Sequence, residues 1–348
     1  MTQKIKILVV DDSAFMRLLI TDILANDKEL EIIGTANNGK VAVDFVKNQK
    51  PDLILMDLVM EEYDGLYAIR EIMTIQPVPI LILSSVGNSN LGPVFEALRL
   101  GAVDYINKPN RNSAKMRLKE NELVHKIKQV AKKARPKMHY PENDTMVLPV
   151  YRETPPISDY RLVVIGASTG GPTAVEQIIK SLPGNTPVPV MVVQHMPSNF
   201  IPSFIDRLNS LAALNVKIAE KGVALHAGNA YIATGDANVI IKEEEGIMTI
   251  DYDPQVYKEY DKPSINALFG SAATLQYGKV MAVLLTGMGK DGVKGLLKLK
   301  ERQATVLVQD QETSVIFGMP KAAIESGVAD QILPLYKIAS RITKLLNS

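Results

Sequence analysis

Val163-Val164-Ile165-Gly166-Ala167-Ser168-Thr169-Gly170-Gly171-Pro172 runs from a β-branched apolar segment into a glycine-rich turn, and Thr173 to Lys180 then reads as a helix. Strand, tight turn and helix in that order form the repeating unit of a parallel α/β sheet. Ser168 stands on the turn at the carboxyl end of the strand, where a hydroxyl is pushed out above the sheet. Gly166 and Gly170 complete G-x-S-x-G, a spacing that positive φ and close backbone approach both favour. The same turn would also suit a phosphate-cradling loop of a nucleotide domain. What stands at the other strand ends has to decide between nucleophile and cradle.

The chain has 348 residues, enough for two domains each burying its own core. Hydrophobic residues at 46% and charged residues at 22% place it among soluble globular proteins. A formal net charge of +1 gives no reason to expect nucleic acid or a membrane surface as partner. With no cysteine, disulfides, thiolate nucleophiles and Cys-ligated metals are excluded. That composition suits a reducing cytoplasm, the expected location. The apolar run before Asp11 is too short for a signal peptide, and Pro77, Pro79, Gly87, Gly92 and Pro93 break the uncharged stretch from Ile72 to Phe95, so no transmembrane segment is expected.

From residue 1 to about 110, apolar runs alternate with helical patterns. Strands are expected at Ile5–Val10, Glu31–Ala36, Asp52–Met56, Ile80–Leu83 and Asp104–Ile106. Helices are expected at Ala14–Ala25, Gly39–Lys47, Leu66–Ile75 and Pro93–Arg99. Five strands alternating with helices predict a doubly wound parallel sheet. Asp11, Asp12, Asp57, Ser84 and Lys108 all fall just past strand ends, the edge where ligands of such sheets gather. Three converging carboxylates call for a hard cation, and oxygen ligands suggest Mg2+. The adjacent ammonium and hydroxyl suit a phosphoryl group.

This pattern resembles the receiver domain of bacterial response regulators. The resemblance implies that Asp57 accepts a phosphoryl group from a histidine kinase and that Asp11 and Asp12, with Asp57, hold Mg2+. It further implies that Lys108 contacts the phosphoryl oxygens and that Ser84 and Tyr105 form the conformational switch. Receivers commonly carry proline where this chain has Glu61.

From 111 to 159, Leu123, Val124, Ile127, Val130 and Ala131 fall on one helical face, with Lys126, Lys128, Lys132 and Lys133 on the others. Beyond it, Arg135 to Ser158 carries five prolines and reads as an extended linker. His125 and His139 have no acidic or Cys neighbours and receive no chemistry.

The remainder, 160 to 348, repeats the strand-end logic. The Pro187–Val193 strand runs into Gln194-His195-Met196-Pro197. The Lys279–Leu285 strand runs into Thr286-Gly287-Met288-Gly289-Lys290-Asp291-Gly292 and the Val293–Arg302 helix, and Ala304–Val308 ends at Gln309-Asp310. Tyr231–Thr234, Val239–Lys242 and Ile247–Asp251 read as hairpin strands, so a mostly parallel sheet with an antiparallel appendage is expected. Ser168, His195 and Asp291 could converge from three strand ends as nucleophile, base and orienting acid. Gly287-Met288-Gly289 offers N–H groups to a developing oxyanion. His226 is an alternative base and Asp310 an alternative acid. The chain order Ser, His, Asp is not that of α/β-hydrolases. A Rossmann fingerprint would want glycine in place of Ser168.

These residues, with Gln309-Asp310-Gln311-Glu312-Thr313-Ser314-Val315 and Gly318-Met319-Pro320, look like the chemotaxis methylesterase domain of the CheB family. The resemblance implies hydrolysis of glutamyl γ-methyl esters on chemoreceptor cytoplasmic helices, often with deamidation of particular glutamines. It implies Ser168 as nucleophile, His195 as base and Asp291 as orienting acid, with Thr169 helping to position the imidazole and the Met288 amide serving the oxyanion. No cofactor is implied for the esterase site. The chain departs from the family pattern around Asp236 and Asp261. Regulation is expected to be steric, the unphosphorylated receiver covering the Ser168 cleft. A catalytically silent, receiver-controlled adaptor that binds receptors is the alternative; a receiver-controlled transcription factor would need a basic recognition helix that the sequence does not offer.

Overall fold

The computed structural model describes residues 4–84, 91–109, 116–134, 159–260 and 262–348. The expected proline-bearing linker and Asp261 lie outside the described residues. The chain divides into two compact units, Met1–Glu142 and Asn143–Ser348.

In the first unit, five strands form one parallel sheet: β1 (Ile5–Val10), β2 (Leu30–Ala36), β3 (Leu53–Asp57), β4 (Ile80–Ser84) and β5 (Asp104–Asn107). Their order is β2-β1-β3-β4-β5. The central strands are continuous apolar runs because both faces are covered, and every residue of β3 and β4 is buried. Helices α1 (Ala14–Ala25), α2 (Gly39–Asn48), α3 (Gly65–Ile75), α4 (Gly92–Arg99) and α5 (Met116–Lys133) cover the sheet. Three of them start at side-chain caps: Ser13 accepts from the Met16 N–H, Asn38 from Val41 and Asp64 from Tyr67. The helix read as part of the connector belongs to this unit. Along α5, Leu123, Ile127 and Val130 are buried, Lys126 pairs with Asp104 at 2.8 Å, and Lys128 pairs with Asp27 and Glu29. The first unit therefore extends past residue 110.

The second unit is built on seven parallel strands in the order β14-β13-β12-β6-β7-β9-β8. In chain order, this unit runs β6 (Tyr160–Ala167), α6 (Gly171–Ser181), β7 (Val190–Gln194), α7 (Ile201–Leu211), β8 (Asn215–Ile218) and β9 (Asn229–Ile232). Then come β10 (Asn238–Glu244), β11 (Ile247–Asp253), α8 (Ile265–Ala272), β12 (Lys279–Leu284), α9 (Val293–Glu301), β13 (Thr305–Gln309), α10 (Met319–Glu325), β14 (Gln331–Leu333) and α11 (Leu335–Leu346). Strands β10 and β11 pair antiparallel, as a separate two-stranded sheet. The Tyr231–Thr234 segment, expected in a hairpin, instead supplies β9, which pairs parallel with both β7 and β8. Its pattern of burial was legible, but its partners lie across the sheet rather than next along the chain. Helix α6 packs with α7 and α11, and α9 packs with α8 and α10, giving two helical layers. The close approach of α8 and α9 depends on Gly295, where a Cβ would lie 2.4 Å from that of Phe269.

Strand order reverses between β6 and β12: the chain leaves β6 toward β7 and returns later on the other side. The carboxyl ends at such a reversal open into a crevice. Ser168, His195 and Asp291 follow β6, β7 and β12.

Candidate active site and phosphoacceptor pocket

The turn after β6 is locked before any chemistry is considered. Gly170 has φ +74°, and a Cβ there would strike Val315 at 2.5 Å. The Ser168 N–H donates to Thr286 O, and the Thr286 hydroxyl donates to Thr169 O while accepting from the Ile316 N–H. Thr286 thus ties the Ser168 turn to the β12 end and to the 313–318 loop. Gln309 accepts from the Thr286 N–H at 2.8 Å and donates to Thr313 O. Gln194 donates from Nε2 to the carbonyls of both Ser168 and His195.

On this frame, His195 Nδ1 lies 3.1 Å from Ser168 Oγ and His195 Nε2 lies 2.9 Å from Asp291 Oδ2. A carboxylate only accepts, so Nε2 carries the ring proton and the Nδ1 lone pair faces the serine hydroxyl. Asp291, between β12 and α9, is 1% exposed, and its carboxylate faces the first-turn amides of α8. Oδ1 accepts from Ser264 Oγ, Asn266 N and Gly292 N, and Oδ2 also accepts from Ile265 N at 2.7 Å. Two of these donors are first-turn amides of a helix, which favour an anion. The flat face of the imidazole stacks on Tyr260, with ring centroids 3.5 Å apart. Met288 is half-buried, and its N–H donates to no group among the described residues. The Gly287 N–H is taken by Ile316 O. A Cβ at Gly287 would come within 2.7 Å of the Ser168 Cβ.

In the first unit, Asp11, at the end of β1, is fully buried and Asp57, ending β3, nearly so; Lys108 follows β5. Lys108 Nζ lies 2.8 Å from Asp11 Oδ2 and 2.7 Å from Asp57 Oδ2. Burial pushes the Asp57 carboxyl above its ordinary range, against the pull of Lys108. Burial opposes the charge on Lys108, yet its interactions with Asp11 and Asp57 hold the ammonium above its usual value. Carboxylate oxygens of Asp11, Asp12 and Asp57 lie within 4.8 Å of one another, close enough to share one cation. Ser84 and Tyr105 are both buried at neighbouring strands, and Lys126 donates to Tyr105 O.

A family model described as CheB methylesterase matches residues 163–342, and one described as response regulator receiver domain matches residues 7–119. The chain belongs to the CheB methylesterase family. The protein-glutamate methylesterase/protein-glutamine glutaminase 2 of Carboxydothermus hydrogenoformans is 41% identical over 99% of each chain. The protein-glutamate methylesterase/protein-glutamine glutaminase of Thermotoga maritima is 40% identical over 98% of each. The crystal structure of the Thermotoga maritima CheB methylesterase catalytic domain is 44% identical with a TM-score of 0.52, covering 53% of this chain and 98% of that one.

In this CheB chain the residues expected from sequence fall into two groups. Ser168, His195 and Asp291 meet. Asp310 is spent elsewhere, accepting from the Thr313 N–H and hydroxyl, and His226 is exposed at the turn before β9. Thr169 makes no hydrogen bond to His195 among the described residues; the imidazole is held by Asp291 and stacked by Tyr260. At the departure from the receiver pattern, Glu61 is exposed beside Glu62, whose φ is +61°; at one departure from the CheB pattern, Asp236 accepts from the Thr234 hydroxyl. Gln194 and Thr286 stood in the quoted strand-end motifs without a role of their own, and Ser264 and Tyr260 carried none either. A glutamine immediately before a candidate base, ending a buried strand, is the one signal that could have flagged the first of them. No helix among the described residues is long and apolar enough to cross a membrane.

Proposed function

We propose that this CheB family member is a phosphorylation-controlled serine hydrolase that removes methyl groups from glutamyl γ-esters of chemoreceptor cytoplasmic helices. The observation that carries the reading is the unbroken line from Ser168 Oγ through His195 to Asp291. As Ser168 Oγ attacks the ester carbonyl, its proton passes to His195 Nδ1. Asp291 holds the tautomer and stabilises the imidazolium. The Met288 N–H, which donates to no protein group among the described residues, is the proposed donor to the oxyanion. His195 then protonates the departing methoxide to methanol, leaving the glutamyl group as an ester on Ser168 Oγ. Water, deprotonated in turn by His195, attacks that ester, and His195 returns the proton to Ser168 Oγ as the glutamate leaves. A glutamine amide would follow the same course with ammonia leaving, which is the glutaminase activity named for the relatives.

Asp57 is the proposed phosphoacceptor, with a histidine kinase as donor and Lys108 against the phosphoryl oxygens. The carboxylates of Asp11, Asp12 and Asp57 suit Mg2+ in donor type and spacing. Bound there, Mg2+ would neutralise phosphoryl oxygen charge. Ser84 and Tyr105 are the proposed switch. The boundaries proposed for the chain are a receiver, a linker and a hydrolase domain from about residue 160.

The test is methanol release from methyl-esterified receptor fragments, with and without a small acyl-phosphate donor. Turnover that vanishes in Ser168→Ala and rises with the donor supports the reading. Receptor binding without methanol release would favour the adaptor.

A further inference from the structure

One hydrogen bond to Asp291 fixes a single nitrogen of His195 but leaves the ring able to swing about the Nε2–Oδ2 line, which would carry Nδ1 away from Ser168. A partner against the flat face removes that freedom. Tyr260 is such a partner: the two ring planes lie 6° apart at a centroid distance of 3.5 Å. It also covers the imidazole, whose side chain is 4% exposed while Tyr260 is 38% exposed.

Tyr260 is held in turn. Asn238, fully buried, donates from Nδ2 to Gln255 O and accepts at Oδ1 from the Ser264 N–H, closing the segment between them like a clasp. Within it, the Tyr257 hydroxyl donates to Asp253 at 2.7 Å. Glu259, its side chain only 8% exposed, pairs with Lys294 in the first turn of α9 at 2.7 Å. Ser264, at the end of the clasp, begins the run of donors that grips Asp291. One stretch of chain thus supports both the face and the far edge of the imidazole.

We propose that Tyr260 is a positioning residue for hydrolysis: its ring keeps the His195 imidazole in line between Ser168 and Asp291 and sheltered from water. The proposal rests on reading those three residues as the reacting groups.

The test uses the full chain and two readouts. A small fluorophosphonate, from which Ser168 Oγ displaces fluoride, reports activation of the serine without any receptor contact. Methanol release from esterified receptor gives kcat and KM. Tyr260→Phe keeps the ring and is expected to label within about twofold of the parent, whereas Tyr260→Ala labels about 10-fold slower, with kcat falling in step and KM little changed. Tyr260→Leu, which keeps bulk without a flat face, is expected to follow Tyr260→Ala at an unchanged Tm, which separates alignment from folding. Val256→Ala, at a 70% exposed position in the same segment, labels like the parent. Parental labelling by Tyr260→Ala and Tyr260→Leu, or a rise in KM alone, overturns the proposal, as does Tyr260→Phe labelling as slowly as Tyr260→Ala. If the parent chain itself is not labelled at Ser168, the hydrolase reading fails and this one with it.

Discussion

The Gln194 side-chain amide donates to the carbonyls of both Ser168 and His195, at 2.9 and 3.0 Å. One buried group therefore fixes the spacing of nucleophile and base from beneath, at the backbone. Its Oε1 lies 2.0 Å from where a Cβ on Gly171 would stand, so glycine is required there. Gln194→Leu removes this shared donor, leaving Ser168 O with the Gly171 N–H alone, and lets the two turns drift. We expect kcat for methanol release to fall about 10- to 100-fold with KM near the parent value. Steady-state kinetics on esterified receptor checks this.

Asp291→Asn keeps the shape but places an NH2 against donors on whichever side it faces. If it faces His195, the ring must present the other tautomer and its Nδ1 no longer accepts from Ser168. A loss of about 10^4 in kcat is expected, the scale seen for the equivalent change in a Ser-His-Asp protease. A lower Tm accompanies it, because buried amide donors lose an acceptor.

Gly295 lies inside α9, where alanine ordinarily stabilises a helix by up to about 1 kcal/mol. Here the sign reverses. The added methyl would stand 2.4 Å from the Phe269 Cβ and 3.1 Å from the Gly270 N, both on α8. Gly295→Ala should therefore lower the Tm of the second unit by calorimetry, and a raised Tm would show that the two helices part freely.

Lys128 joins α5 to Asp27 and Glu29 at 2.7 and 2.8 Å. Its hydrogen bond, with that of Lys132, draws the Glu29 carboxyl from 4.5 down to about 2. A depressed carboxyl stabilises above its unfolded pKa and loses that contribution as pH falls through the folded value. Lys128→Ala should consequently speed hydrogen exchange along α5 by a constant factor at neutral pH, and that factor should shrink between pH 4.5 and about 2.

Asp57 behaves in the opposite sense. Burial raises its carboxyl, so ionisation costs the folded first unit stability as pH rises above the acid range. Asp57→Asn should raise the Tm of that unit at pH 7 in Mg2+-free buffer, by less near pH 4, and should abolish phosphoryl incorporation. In the parent chain, Mg2+ at about 100 times its Kd should add about 2.7 kcal/mol, which Asp11→Asn should largely remove.

Most of the fold could be read from residues 5–107 and 160–309 because strand and helix periods alternate there and glycine or capping residues punctuate them. The bounds expected for β1 and α1 match the observed ones. Strand partners were less legible: β9 looked like a hairpin arm because β10 follows it closely, yet it pairs with β7 and β8. Ser168, His195 and Asp291 stood out because each ends a strand with a polar residue whose chemistry is recognisable. The supports did not. Asn238 stands at the very start of a strand whose apolar pattern begins only at Val239, and Tyr260 lies in a segment without period or motif; only folding brings one amide to both ends of a loop and one ring onto another.

The clasp made by Asn238 separates two demands on the same segment. Its anchors are internal, whereas its crest carries Val256, which touches little of the protein's own interior. Selection can rewrite the exposed crest while the buried anchors, and the proton-transfer apparatus they border, stay undisturbed.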